Sequence, residues 1–89
     1  MRVDWSDEAL EELWEIIDYI DTRNPSAAAA LHWDIEQATQ SLPSQPYMHR
    51  LGRILGTREI IVHPNYLVIY RVLDHIEILN VLHARQEYP

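Results

Sequence analysis

Residues Thr57 to Arg85, TREIIVHPNYLVIYRVLDHIEILNVLHAR, are dominated by Ile, Val, Leu and Tyr and interrupted at His63-Pro64-Asn65-Tyr66 and Leu73-Asp74-His75. β-branched and aromatic residues separated by short turn-forming groups predict three consecutive antiparallel strands, with Pro64-Asn65 closing a tight hairpin. The strands are expected over Thr57 to Val62, Tyr66 to Leu73 and Ile76 to His83. Met48 to Gly52 leads into the sheet, and Arg53-Ile54-Leu55 is expected to form part of the first strand, with Gly56 as a bulge or bend. Alternation puts Arg58, Ile60 and Val62 on one face; Leu67, Ile69 and Arg71 on one face; and Leu79, Val81, His83 and Arg85 on one face. If the registers match, Arg58, Arg71, His83 and Arg85 converge on a concave sheet surface that no helix covers. Such a cluster would suit a phosphorane transition state, with His83 or Tyr88 moving protons. The same arginines would equally serve as surface ion-pair partners of Glu59, Asp74, Glu77 and Glu87.

The chain ahead of this stretch supplies the packing partner. Val3 and Trp5 alternate with Arg2 and Asp4, which predicts a short strand over residues 1–5. Ser6 reads as a helix N-cap, with Asp7 and Glu8 where the helix dipole favours acids. A first helix is expected from Asp7 to Asp21, burying Leu10, Leu13, Trp14, Ile17 and Ile20. Its other side carries Glu8, Glu11, Glu12, Glu15 and Asp18, a solvated or partner-facing acidic surface. Asn24 and Pro25 open a second helix, expected over Ser26 to Ser41, whose alanines allow close packing in an αα-hairpin. Trp33 lies off its apolar stripe. It is either half-covered by the following loop or part of a partner-binding surface. Leu42-Pro43-Ser44-Gln45-Pro46-Tyr47 is expected to lack regular structure because two prolines remove backbone donors.

Eighty-nine residues predict one domain over 1–89. There is no cysteine, which excludes disulfides and thiolate metal sites and is compatible with a reducing cytoplasm. The N-terminal MRVDWSDE has no apolar core of a signal peptide. Fourteen acids against seven arginines and no lysine give a net charge of −7, so the long-range field repels nucleic acid. Ten of the 14 acids precede residue 40 and five of the seven arginines follow residue 49, so charge is segregated along the chain. The five histidines form no HExxH or i,i+4 pair, and two glycines cannot write a P-loop or dinucleotide fingerprint. No GxSxG elbow surrounds any serine. Neither a metal nor a cofactor is expected.

Gly56-Thr57-Arg58-Glu59, Tyr66-Leu67-Val68-Ile69-Tyr70-Arg71-Val72 and Val81-Leu82-His83-Ala84-Arg85, in this order and at this length, resemble the RelE/ParE superfamily, the toxins of bacterial type II toxin–antitoxin modules. The resemblance covers nearly the whole chain. It implies an α+β fold of order β-α-α-β-β-β, with the N-terminal strand and helical hairpin packed on a mainly antiparallel sheet. It also implies a cognate antitoxin that wraps the helical hairpin as a toxin–antitoxin hetero-oligomer, with Trp33 and Trp14 as candidate contacts.

Two activities share that fold. RelE-like members are ribosome-dependent mRNA endonucleases, basic proteins with an Arg/Lys cluster and a C-terminal Tyr. ParE-like members inhibit DNA gyrase, arrest growth and stabilise plasmids. Here Leu67 stands where the nucleases often carry an arginine after the tyrosine, and the chain is acidic. The VLHARQ ending is closer to the ParE-like branch, so gyrase inhibition is the favoured expectation and Arg58, Arg71, His83, Arg85 and Trp33 are binding candidates. If the chain is instead a nuclease, the resemblance assigns catalysis to Arg58, Arg85 and Tyr88, with His83 assisting. A third expectation is a degenerate, non-toxic module that only binds its antitoxin.

Overall fold

A computed structural model describes residues 1–89. The elements are β1 (Val3–Trp5), α1 (Asp7–Asp21), α2 (Pro25–Gln40), β2 (Arg50–Leu51), β3 (Arg58–His63), β4 (Tyr66–Val72) and β5 (Ile76–His83). The sheet order is β1-β5-β4-β3-β2; β1 runs parallel to β5 and every other pairing is antiparallel. The α+β class and the mainly antiparallel sheet therefore stand as expected, with one short strand, β2, added ahead of the three long ones.

Local signals set the helices. The Ser6 hydroxyl accepts from the Ala9 N–H at 3.0 Å, and the Asn24 side chain accepts from Ala27 N–H at 3.1 Å, with Pro25 in the first turn. The second helix starts one residue earlier than expected and ends at Gln40. Leu42–Ser44 makes a single 3-10 turn where no regular structure was expected. Pro43 is tolerated because it lies in the first turn, where its missing N–H would have no helical partner.

Both helices cover one face of the sheet. Ala9, Leu13 and Ile17 of α1 and Ala28, Leu31 and Ile35 of α2 meet Ile60, Val68, Tyr70, Ile76, Ile78 and Val81 in one core. The expected stripe on α1 is wrong at two positions: Leu10 and Trp14 are exposed, and Ala9 takes the buried place. With Val3 and Trp5 of β1, a three-residue strand at the edge of the sheet, these two side chains line an open groove. On the opposite face Leu67, Ile69 and Leu82 form a small second cluster capped by Leu79, Ala84 and Tyr88.

β5 breaks its alternation. Ile78 pairs with Tyr70 and Asn80 with Ile69, so Leu79 is an extra residue. Ile78 and Val81 consequently both face the helices while Leu79 packs on the other side. At this bulge the Glu12 carboxylate accepts from the Val81 N–H at 3.1 Å and from Asn80 Nδ2 at 3.0 Å. Partial burial, opposed by these two bonds, raises the Glu12 carboxyl above the usual carboxylate range. Replacing Glu12 by Ala strips the acceptor from both donors and should cost about 1–3 kcal/mol in a urea melt. A raised native pKa means the protonated carboxyl is favoured in the folded state. That contribution is fully present below the unfolded pKa and is lost as pH rises through the native one. Glu12→Gln should therefore gain on the wild type as pH is raised from about 4 towards 7; a gap that stays flat would show that the charge on Glu12 is not at issue.

Candidate functional site

The sheet separates the residues that alternation had brought together. Arg58 pairs across the ladder with Tyr70, on the helix side. Arg71, next to Tyr70 in β4, lies on the other face and is tied to Glu77, 2.8 Å away on β5. His83 pairs with Tyr66, on the helix side but four residues along β4 from Tyr70, or about 13 Å at strand spacing. Arg85 lies beyond β5 in a turn, its backbone N–H held by His83 Nδ1 at 3.1 Å and its side chain exposed. Leu79 and Val81 do not share a face, and Arg85 does not continue one. The bulge at Leu79 and the turn after His83 are the causes. Arg71–Glu77 is one of the ion pairs the surface reading anticipated, whereas Glu59 pairs with Arg50 rather than Arg58.

Arg58 has its own surroundings. Its guanidinium donates to the carbonyls of His49 (2.8 Å) and Tyr47 (3.2 Å) and lies over the Tyr47 ring. Beside it, Tyr70 is fully buried and its hydroxyl donates to the Pro46 carbonyl at 2.7 Å. Burial pushes the Tyr70 phenol up, with Arg58 partly opposing, so it remains a donor at neutral pH. Burial also lowers His49, whose ring meets Tyr70 edge-on. Together Arg58 and Tyr70 fasten the segment between α2 and β2 to the sheet.

At the opposite end of β4, His63, Tyr66 and His83 stand side by side on three strands, with ring centroids 5.8 and 5.3 Å apart. Each histidine accepts a backbone N–H on Nδ1, from Asn65 and Arg85 respectively, so each neutral ring carries its proton on Nε2. Tyr88 lies on the far face under the Arg53 guanidinium, and its hydroxyl is buried without a partner. Nearby in the sheet, Glu59 is buried, one oxygen bound by Arg50 Nε at 2.8 Å and the other unpartnered.

Hollows of about 480 and 330 Å³ flank Tyr66, the first lined also by His83 and the second by His63. A groove of about 300 Å³ lies between β1, α1 and α2, floored by Val3, Trp5 and Leu13 and walled by Trp14, His32 and Glu36. Trp14 meets His32 edge-on at 5.1 Å. Trp33 is exposed on α2 and does not line the groove. The spacing of Trp14 from Leu10 and Leu13 predicts a buried stripe, but in the structure its ring is half exposed on the groove wall.

No helix is long and apolar enough to cross a membrane. No group of three or more His, Cys, Asp or Glu is placed to hold a metal ion.

Residues 3–88 match the family described as the ParE toxin of the type II toxin–antitoxin system parDE. A putative toxin, Y4kP, of Sinorhizobium fredii is 39% identical over 99% of this chain and 93% of its own length. Toxin RelE2 of Caulobacter vibrioides is 34% identical over 93% of this chain and 94% of its own. Among solved structures, a chain of the chromosomal ParDE system from P. aeruginosa superposes with a TM-score of 0.81 at 22% identity, covering 93% of this chain and 95% of that one. A YoeB/ParE toxin from Agrobacterium tumefaciens does so at 0.68 and 13% identity, covering 99% and 100%.

Proposed function

This chain belongs to the ParE toxin family of type II toxin–antitoxin systems, and from that premise we propose that it arrests growth in the cytoplasm by binding and inhibiting DNA gyrase, as a non-enzymatic toxin of the plasmid-stabilising kind. Its partner is a cognate antitoxin. One observation carries the choice of target. Cleaving RNA requires a base, an acid and a cation within hydrogen-bond reach of one phosphate. The set that the nuclease reading needs does not converge: Arg58 is committed to two carbonyls, the Tyr88 hydroxyl is enclosed on the opposite face, and His83 and Arg85 stand at the far end of the sheet. That dispersal supports binding over cutting by Arg58, Arg85 and Tyr88. Its acidic net charge also opposes docking on ribosomal RNA.

The antitoxin seats an amphipathic segment in the groove beside Trp14. Leu10, Trp14 and Trp5 offer apolar anchoring, and Glu36 with the acids of α1 favours basic flanks.

Purified protein freed of antitoxin, added to a gyrase supercoiling assay and in parallel to translating ribosomes, tests the target. Inhibited supercoiling with intact mRNA is expected. Codon-phased mRNA cleavage would overturn it in favour of the ribosome-dependent endonuclease and return Arg58, Arg85 and Tyr88 to a catalytic role. Silence in both, with the antitoxin still bound, would leave a module that only binds its antitoxin.

A further inference from the structure

Between Glu36 and Glu59 the chain carries no acidic residue, although its net charge is −7, and within that interval lie Arg50, Arg53 and Arg58. The same segment carries five of the large apolar side chains left exposed: Tyr47, Met48, Leu51, Ile54 and Leu55, all within nine residues. Sequence reasoning made Arg53-Ile54-Leu55 part of a strand. In the structure β2 ends at Leu51, and residues 52–57 turn back to β3 as a hairpin tip. Leu55, at the tip, is completely exposed.

The tip is built, not loose. The Gly52 N–H donates to the Thr57 carbonyl at 2.8 Å. The Ile54 carbonyl accepts from the Thr57 N–H at 3.1 Å and from its hydroxyl at 2.6 Å. Thr57 is itself buried. Gly56 has a φ of +84°, a conformation that favours glycine, and any side chain at Gly52 would run into the Thr57 hydroxyl. Both glycines of the protein are thus used to hold Ile54 and Leu55 out of the core. Scattered exposed apolar residues are ordinary, but a contiguous group on a backbone held in place is the feature of an interface anchor, because little backbone freedom remains to be lost on docking.

We propose that this tip is the element with which the toxin grips its target protein, Leu55 and Ile54 entering an apolar pocket rimmed by a carboxylate that faces Arg53. Arg53 lies over the Tyr88 ring and, unlike Arg50, is not paired with an acid of its own chain. The inference rests on the toxin reading and adds to it the contact surface and the partner's chemistry. The apex itself is aliphatic, and neither Ile54 nor Leu55 can stack a base, which favours a protein pocket over nucleic acid. The groove beside Trp14 carries Glu36 on its wall, whereas the tip carries Arg53, so antitoxin and target need not compete for one surface.

The test uses the full chain with Leu55→Asp and, separately, Arg53→Glu, expressed without antitoxin; purified wild type and variants are then titrated with the cognate antitoxin. Because Leu55 touches nothing in the core, its variant should melt with the wild type. Growth arrest should weaken about 30-fold or more for Leu55→Asp, while antitoxin affinity stays within about twofold. Undiminished arrest by both variants alongside a toxic wild type would overturn the inference and leave the toxin reading intact. A parallel loss of antitoxin binding would assign the tip to the antitoxin, and a wild-type dimer that Leu55→Asp makes monomeric would assign it to a second copy; either overturns the proposal. A wild-type chain that arrests nothing would sink both readings at once.

Discussion

Tyr70→Ala should leave the protein at the edge of unfolding at 25 °C. Tyr70 is the largest of the fully buried side chains, lies in the second half of β4 and is completely shielded from solvent. Truncating a buried aromatic costs about 3–5 kcal/mol. A chain of this length has about 4–13 kcal/mol in total. The ring packs in the main core, and its hydroxyl holds the Pro46 carbonyl, so the substitution also frees the segment that Arg58 grips from the other side. The urea midpoint should fall by about 2–4 M. Tyr70→Phe separates the two contributions: it keeps the ring and leaves only the Pro46 carbonyl short of a donor, at a cost of about 1–3 kcal/mol. A loss below about 1 kcal/mol for the alanine variant would mean that this end of the core collapses onto the cavity, and that the connector between α2 and β2 stabilises nothing.

What the sequence made legible follows from how locally each feature is determined. Ser6 and Asn24-Pro25 carry their helix starts within four residues, so α1 is found from end to end and α2 to within one residue. Pro64-Asn65 likewise fixes the β3–β4 hairpin, whose paired ends are His63 and Tyr66. Faces were less secure. Alternation from Ile76 onward holds only as far as Ile78, because Leu79 is an extra residue that no short-range pattern marks. The supposed convergence of Arg71, His83 and Arg85 disappears with it. Ile54 and Leu55 have strand composition, yet they stand at a tip; Gly52 and Gly56, bracketing them four residues apart, are the signal that this apolar pair is a turn. Trp14 and Leu10 have helical spacing that says which side of α1 they occupy but not whether the sheet extends far enough to cover them. In each case the missing information is tertiary: the width of a sheet or the register of a strand.

Its place on the wall of the open groove makes Trp14 the residue on which antitoxin binding should depend most. Trp14→Ala should weaken the cognate antitoxin about 30- to 1,000-fold, the range of a buried aromatic anchor at an interface centre. Stability should change little, since in the free chain the ring is half exposed and its aromatic neighbour is His32, at 5.1 Å; losing that edge-on contact costs about 1 kcal/mol. The groove floor of Val3, Trp5 and Leu13 remains in place, so the lost affinity reports the anchor and not a collapsed site. Glu36 on the groove wall adds an electrostatic contribution, so affinity for a basic segment should also fall as salt is raised. Affinity indifferent to salt would leave apolar anchoring as the sole cause, and affinity indifferent to Trp14 would move the antitoxin off this groove. Paired with Leu55→Asp, Trp14→Ala gives a crossed outcome: one variant remains toxic but escapes its antitoxin, and the other remains bound but harmless. Neither result can arise from general destabilisation, because a partly unfolded chain loses both partners together.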